Sequence, residues 1–149
     1  MTELHYQSAL EIGSSIHMGK YSAEEVTRAL LQRIEEQQEL NAFVTLNPEL
    51  SLAQAVQADE EIRSGSIRSP LHGVPIALKD LLFTSDWPTT SGTTLFNGYM
   101  PQYNATVVSR LREAGTVTLG KLKLVGKSST RTCFLKANER RTLLNPRGS

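Results

Sequence analysis

The sequence predicts an α/β fold in which helices cover a sheet, and two observations carry this prediction. First, the chain contains short apolar or β-branched stretches of strand length, at residues 42–46, 74–78 and 116–119. Second, these stretches alternate with longer segments whose apolar residues recur at helical spacing. Helices alternating with short apolar strands are typical of a sheet with helices packed on it.

Four segments are predicted to be helical. The second has the clearest start, because Ser22 and Glu25 have the spacing of a capping box and precede an apolar stripe that runs to Ile34. Glycines placed after the other three segments favour helix termination there. These other segments are Thr2–His17 before Gly19, Pro48–Ile62 before Gly65, and Ala105–Ala114 before Gly115, the last capped by Asn104.

The predicted strands differ in how strongly the sequence marks them. Residues 74–78, within PLHGVPIALKD, form the most apolar of them and are expected to be buried, with Lys79 at the carboxyl end. Ala42–Leu46 is β-prone, and Thr116–Leu119 is short and β-branched. Gly120-Lys121 is predicted to begin the next turn. In the fourth helix, the side chains of Val107, Val108 and Leu111 are expected to face inward.

Composition excludes several classes of function. The formal net charge of the 149 residues is +1, which indicates neither a nucleic-acid partner nor an anionic membrane surface. No apolar stretch is long enough to span a membrane, and the first residues lack the apolar core of a signal peptide. Cys133 is the single cysteine, which excludes a disulfide framework and a four-cysteine metal site. We therefore expect a cytoplasmic protein without metal or cofactor.

The chain divides by charge near residue 125. Residues 1–124 are acidic overall, whereas residues 125–149 contain six Lys and Arg residues against the single acid Glu139. The last 25 residues show no convincing amphipathic period. Two interpretations remain open: a basic tail that binds an acidic partner, or a segment produced by a shifted reading frame.

Lys79 is the candidate catalytic residue. A lysine at a strand end usually packs its stem on apolar neighbours and keeps its ammonium in water, or it pairs with an acid such as Asp80. The alternative is a partly desolvated amine. Burial disfavours the charged form and lowers the pKa of a lysine, which makes the amine a usable general base for a serine hydroxyl.

Several motifs in order resemble the amidase signature family. They are PLHGVPIALKD at 70–80, PTTSGT at 88–93 and NATVVSRLREAGTVTLGK at 104–121, preceded by YSAEEVTRALLQRIEEQQELNAFVTL at 21–46. The resemblance covers residues 1–124, which we interpret as the N-terminal portion of an amidase domain. It implies an incomplete amidase-signature fold, a mixed sheet covered by helices, with 125–149 as an atypical tail.

The same resemblance implies a serine hydrolase that cleaves carboxamides through an acyl-enzyme. Its triad is Ser–Ser–Lys, and the family's lysine corresponds to Lys79. Both serines belong to a Gly/Ser-rich signature of the form GGSSGGS, which these 149 residues do not contain. We therefore expect a truncated chain that is inactive alone, although intact relatives act on small amides.

Two alternatives to a simple amidase fragment remain. One is a relative of the transamidating enzymes that feed glutamine-derived ammonia to a charged tRNA, specifically of their amidase-like A component. The LLF that follows Lys79-Asp80 and the Gly120-Lys121-Leu-Lys stretch favour the generic amidase branch over it. The other is a non-catalytic fragment that pairs with a full-length partner. An incomplete sheet would also leave open edges through which the chain could associate with itself.

The remaining candidates are weaker. Ser128 and Ser129 lack the flanking glycines that shape an oxyanion hole, and Cys133 has no paired base. The hydroxyls of the Thr89–Ser91 stretch are expected to cap a turn. His5, His17 and His72 lack metal-ligand spacing; His72 is expected to pack beside Gly73, and Trp87 to anchor a loop.

Overall fold

The computed structural model describes residues 4–124, which form an α/β unit with a small mixed sheet, as predicted. A 3₁₀ turn at Leu4–Tyr6 precedes the first α-helix, and two further 3₁₀ turns lie at Gln38–Leu40 and Thr94–Phe96. The regular elements are α1 (Ala9–His17), α2 (Ala23–Glu36), β1 (Phe43–Leu46), α3 (Pro48–Arg63), β2 (Pro75–Lys79), α4 (Thr106–Glu113) and β3 (Val117–Leu122). Predictions about residues 125–149 lie outside the described residues.

The three strands lie in the order β1-β3-β2. The last of these three strands along the chain, β3, is therefore the central one, antiparallel to β1 and parallel to β2. Gly120 lies where β3 meets both neighbours, opposite Leu46 on one side and Ala77 on the other. A Cβ atom at Gly120 would lie 2.6 Å from the carbonyl oxygen of Thr45. Glycine is required at this position because β1 approaches too closely for any side chain.

The hydrophobic core lies between the sheet and the first three helices. Small residues permit the close packing: Ala23, Ala55 and Ala58 are buried at the contacts of α2 and α3. Larger aliphatic residues fill the remaining space, and they are Ile12, Ile16, Val26, Val74 and Val117. Burial of such side chains contributes about 25 cal/mol per Å² of apolar surface, which is the main stabilising term available to a unit of this size.

Serine caps begin the first two helices. Ser22 and Glu25 form the predicted capping box at α2. Ser8 and Glu11 form a second one at α1, so the predicted helix start at Thr2 was wrong. The Ser8 hydroxyl accepts from the Glu11 amide while the Glu11 carboxylate accepts from the Ser8 amide, which fixes the start of the helix.

Two predictions for the fourth helix were also wrong. Asn104 does not cap α4; its side-chain oxygen instead accepts hydrogen bonds from the backbone and hydroxyl of Ser85, so it ties two loops together. Val108 is buried as expected, but Val107 is 47% exposed. The helix is only eight residues long, and one narrow face is enough to cover its contact with the rest of the chain.

Strand β3 extends three residues beyond its predicted end at Leu119. Gly120 and Lys121, predicted to begin a turn, are strand residues that pair with both neighbours. Glycine and lysine have low strand propensity, but pairing on both sides outweighs that preference. Lys121 is thereby drawn into the interior, where it is fully buried.

His72 is buried where β2 begins. Its Nδ1 accepts a hydrogen bond of 3.2 Å from the backbone amide of Arg68, and its Nε2 lies 3.2 Å from the carboxylate of Glu61. The ring is therefore a neutral imidazole that carries its proton on Nε2. Burial lowers the pKa of His72 below its ordinary value, and Glu61 only partly opposes this. Gly115 lies so close that a Cβ atom there would be 2.3 Å from the imidazole.

Replacing Gly115 with alanine is expected to destabilise the fold through this contact. Gly115→Ala should be less stable than Gly65→Ala by about 1–3 kcal/mol, the usual cost of overpacking. The two glycines share a left-handed φ, +82° and +85°, but nothing lies within 4 Å of a Cβ atom at Gly65. The backbone cost is therefore common to both variants. Urea unfolding measures the difference, and equal stabilities would show that His72 moves aside freely.

Acidification should destabilise the protein through His72. Because its folded pKa is lowered, only the unfolded chain takes up this proton as the pH falls through about 6.5. Stability from this residue is full above that pH and declines below it, until the folded pKa is reached. The free energy of unfolding should therefore fall more between pH 7.5 and 5.5 in the parent than in His72→Gln. Both proteins retain His5 and His17, so equal declines would contradict the assignment.

Candidate active site

Lys79 lies at the carboxyl end of β2, as the apolar run predicted. Val74 and Leu78 are buried, whereas Ile76 and Ala77 are partly covered. Alternation along the strand places Lys79 on the face opposite to Leu78. The strand thus presents one exposed amine on the face opposite to Leu78.

The Lys79 ammonium is exposed. Within residues 4–124 its one hydrogen bond goes to the backbone carbonyl of Lys123, at 3.1 Å. Pairing with Asp80, one of the alternatives for a strand-end lysine, does not occur. The amine is held by a neutral oxygen in the chain beside it and is accessible to a reacting group.

Asp80 points the other way and is fully buried. Its carboxylate accepts the backbone amide of Thr90 at 3.1 and 3.2 Å, and the Thr90 hydroxyl donates to it as well. The backbone carbonyl of Asp80 accepts the amide of Ser91 at 3.0 Å. Residues 80–91, which we call the strand-end loop, therefore return to their starting point. The threonine hydroxyls expected to cap a turn serve in part to close this ring.

A second lysine lies inside the strand-end loop. The Nζ atom of Lys121 donates to the Leu82 carbonyl at 2.6 Å, to Thr89 Oγ1 at 2.8 Å and to Thr84 Oγ1 at 3.0 Å. An ammonium has three donor hydrogens, so all of them are used. Burial lowers the pKa of Lys121, and the nearby carboxylate of Asp80 raises it in part.

Sequence reasoning missed Lys121, because Gly-Lys after a short strand is also how a turn begins. The available signal was the spacing of hydroxyl residues in the loop, at Thr84 and Thr89, which supply uncharged acceptors for a buried donor. Trp87 anchors the loop as predicted: it is buried, and its carbonyl accepts the Thr84 hydroxyl.

The other sequence candidates do not gather around Lys79. His72 lies near the opposite end of β2, and Ser128, Ser129 and Cys133 lie outside the described residues. Ser91, at φ +51°, has a left-handed backbone that is unusual for serine. Within residues 4–124, no group of three or more His, Cys, Asp or Glu side chains could hold a metal ion. None of the helices there has the length and apolar content of a membrane span.

Comparison with known proteins gives one consistent family. The family model described as Amidase matches residues 25–133. The A subunit of the glutamyl-tRNA(Gln) amidotransferase from Chloroflexus aggregans is 46% identical over 123 residues, which are 82% of this chain and 25% of that protein.

Solved structures agree with this result. The peptide amidase of Stenotrophomonas maltophilia superposes with a TM-score of 0.77 at 34% identity, covering 82% of this chain and 26% of that one. An amidase family protein from Bacillus anthracis gives 0.75 at 33% identity, covering 83% of this chain and 25% of that one. The chain thus spans about a quarter of the length of the relatives that it matches.

The bond between Thr90 and Asp80 should stabilise the strand-end loop measurably. Thr90→Val keeps the shape of the side chain but removes the hydroxyl donor, which leaves a buried carboxylate oxygen with one partner fewer. We expect a loss of about 1–3 kcal/mol in urea unfolding. Thr90→Ser, which keeps the donor, is the matched control and should lose less. A larger loss in Thr90→Ser than in Thr90→Val would show that the methyl group, and not the hydrogen bond, is what matters.

Proposed function

The chain belongs to the amidase family, and from that premise we propose that it is the N-terminal part of a carboxamide hydrolase in which Lys79 is the general base. The reaction is cleavage of a carbon–nitrogen bond through an acyl-enzyme, with a small amide as substrate. In this proposal the reaction uses no cofactor or metal, and neither a nucleic acid nor a membrane takes part. The proposed location is the cytoplasm.

The position of the Lys79 amine is the single observation that carries the proposal. A general base must come within hydrogen-bond reach of the proton that it takes. Lys79 ends a strand, its amine is accessible, and its partner in the described residues is the neutral carbonyl of Lys123. No carboxylate within residues 4–124 has to be displaced before the amine can meet a hydroxyl. Lys121, by contrast, has all its donor hydrogens engaged inside the fold.

The 149-residue polypeptide should lack the groups that Lys79 would serve. Its sequence contains no Gly-Gly-Ser-Ser-Gly-Gly, the motif that the resemblance gives to the nucleophile and the bridging serine. An exposed lysine without a hydroxyl partner is a base with nothing to activate. The proposed division of roles therefore has the base on this polypeptide and the two serines on amidase sequence outside the matched quarter.

A second candidate function is non-catalytic. Leu30, Ile34, Phe43 and Leu119 line a groove of about 530 Å³, and Leu40 and Leu46 also border it. Strands β1 and β2 are each paired on one side only within the described sheet. Such a surface suits a module that pairs with a longer amidase chain or with itself.

An amidotransferase-like role is a variant of the first candidate, supported by the 46% identity to the Chloroflexus protein.

The purified polypeptide is expected to release no ammonia from amides above a Lys79→Ala control. The physical reason is the missing nucleophile, since little chemistry survives the loss of triad members. The assay uses a panel of simple aliphatic and aromatic amides. Lys79-dependent turnover by the polypeptide alone would contradict this prediction and direct the search to Ser91, Ser128, Ser129 and Cys133.

A complementation experiment tests the role of Lys79 directly. The polypeptide is co-expressed with the part of the Stenotrophomonas peptide amidase that lies outside the matched quarter. Turnover should then depend on the parent sequence at Lys79 and be lost in Lys79→Ala. Lys123→Ala is the matched control, because Lys123 is an exposed lysine at the same end of the sheet, and it should retain activity. Activity that survives in Lys79→Ala would refute the base assignment.

A further inference from the structure

Lys121 has a role that the proposed triad does not use. It lies on β3 directly opposite Leu78 of β2, while Lys79 lies opposite Leu122. The two lysines therefore project from opposite faces of the same end of the sheet. Lys79 meets solvent, and Lys121 enters the strand-end loop, the segment that begins at the residue after Lys79.

The strand-end loop is built as a shell of oxygen atoms around this ammonium. The Leu82 carbonyl, Thr84 and Thr89 accept from it at 2.6–3.0 Å. Both hydroxyls also donate onward, Thr84 to the Trp87 carbonyl and Thr89 to the Leu82 carbonyl. Each hydroxyl thus accepts one hydrogen bond from Lys121 and donates its own hydrogen to a backbone carbonyl. An apolar residue at position 121 would leave three buried acceptors without their donor.

Charge, and not only packing, holds the shell together. The three acceptors are neutral, and the buried carboxylate of Asp80, which closes the ring through Thr90, adds a negative charge that attracts the ammonium. A cation surrounded by inward-pointing oxygen dipoles is attracted to all of them at once. The backbone amide of Asp80 donates to the Leu122 carbonyl, and the amide of Leu82 donates to the carbonyl of Lys79, so the shell is linked to the strand end at Lys79.

We propose that Lys121 is the internal cation around which the strand-end loop folds, and that through this loop it positions Lys79. Lys121 is a positioning residue and contacts no reacting atom. The assignment rests on the proposed role of Lys79 for its functional meaning, but the contacts that define it are independent of any amide turnover.

The test is chemical rescue. Lys121→Ala removes Cγ, Cδ, Cε and Nζ, the same four heavy atoms that n-propylammonium contains. Hydrogen exchange of the Thr89, Thr90 and Ser91 amides should become at least about tenfold faster in Lys121→Ala, while amides in α2 change less. Addition of n-propylammonium should restore slow exchange. The neutral isostere n-propanol should not, and Lys123→Ala should leave the loop unchanged.

A second readout concerns Lys79 itself. After reductive methylation with ¹³C, the NMR signal of Lys79 should shift in Lys121→Ala and return with n-propylammonium. The signal of Lys20, which lies beside Tyr21, serves as the reference and should stay fixed. A role limited to filling space would leave the Lys79 signal insensitive to the cation.

Each outcome decides the proposal. Parent exchange rates in Lys121→Ala, equal rescue by n-propanol, or an unmoved Lys79 signal would overturn it. If Lys121→Ala does not fold, the same amides are compared in Lys121→Met, where faster exchange supports the proposal and parent rates overturn it. If the cation restores neither slow exchange nor the Lys79 signal, but the complemented enzyme shows Lys79-dependent turnover, then only the positioning role of Lys121 is rejected. If n-propylammonium restores both readouts but the complemented enzyme shows no Lys79-dependent turnover, then only the assignment of Lys79 as the base is rejected.

Discussion

The position of β3 between β1 and β2 is the constraint on which the rest of the structure depends. Within the described sheet it is the strand paired on both sides, with one neighbour antiparallel and the other parallel. To meet both, β3 has a glycine at the closest approach and a buried lysine immediately after it. The helices cover the sheet that this arrangement creates, and α3 is attached to it by the bond from Ser51 Oγ to the Thr118 carbonyl.

Local sequence was sufficient to predict an element wherever residues within that element determine its structure. The apolar run before Lys79 predicted β2, and Ser22 with Glu25 predicted the start of α2, because strand burial and helix capping are decided within a few residues. Local sequence was insufficient to predict that Lys121 is a buried strand residue. Lys121 is a strand residue because it pairs with β1 and β2, and its ammonium can be buried there because oxygens from residues 82–89 accept its hydrogen bonds. Both sets of partners are distant in the chain. The predicted capping role of Asn104 was wrong for the same reason, since its hydrogen-bond partner Ser85 is 19 residues away in the chain.

Two lysines at one end of a sheet illustrate how the environment assigns chemistry to identical side chains. Lys121 is enclosed by oxygens, so its donor hydrogens are fully committed. Within residues 4–124, Lys79 makes one hydrogen bond, to a backbone carbonyl, and its amine remains available. From sequence alone Lys79 was singled out by its place after an apolar run and by the family resemblance, whereas its availability follows from the neighbouring loop turning away. That loop turns away because Asp80 and Lys121 hold it on the other face.

The strand order also has a consequence during protein synthesis. Among the described residues, neither β1 nor β2 has a strand partner until β3 has been made, and Val117 follows Phe43 by 74 residues. At ribosomal rates of about 5–20 residues per second, β1 waits unpaired for roughly 4–15 s. Over that interval the nascent chain exposes the unpaired edges of β1 and, once residues 75–79 have been made, of β2 as well. Chaperone binding, or pairing between chains on neighbouring ribosomes, therefore competes with native folding until β3 emerges.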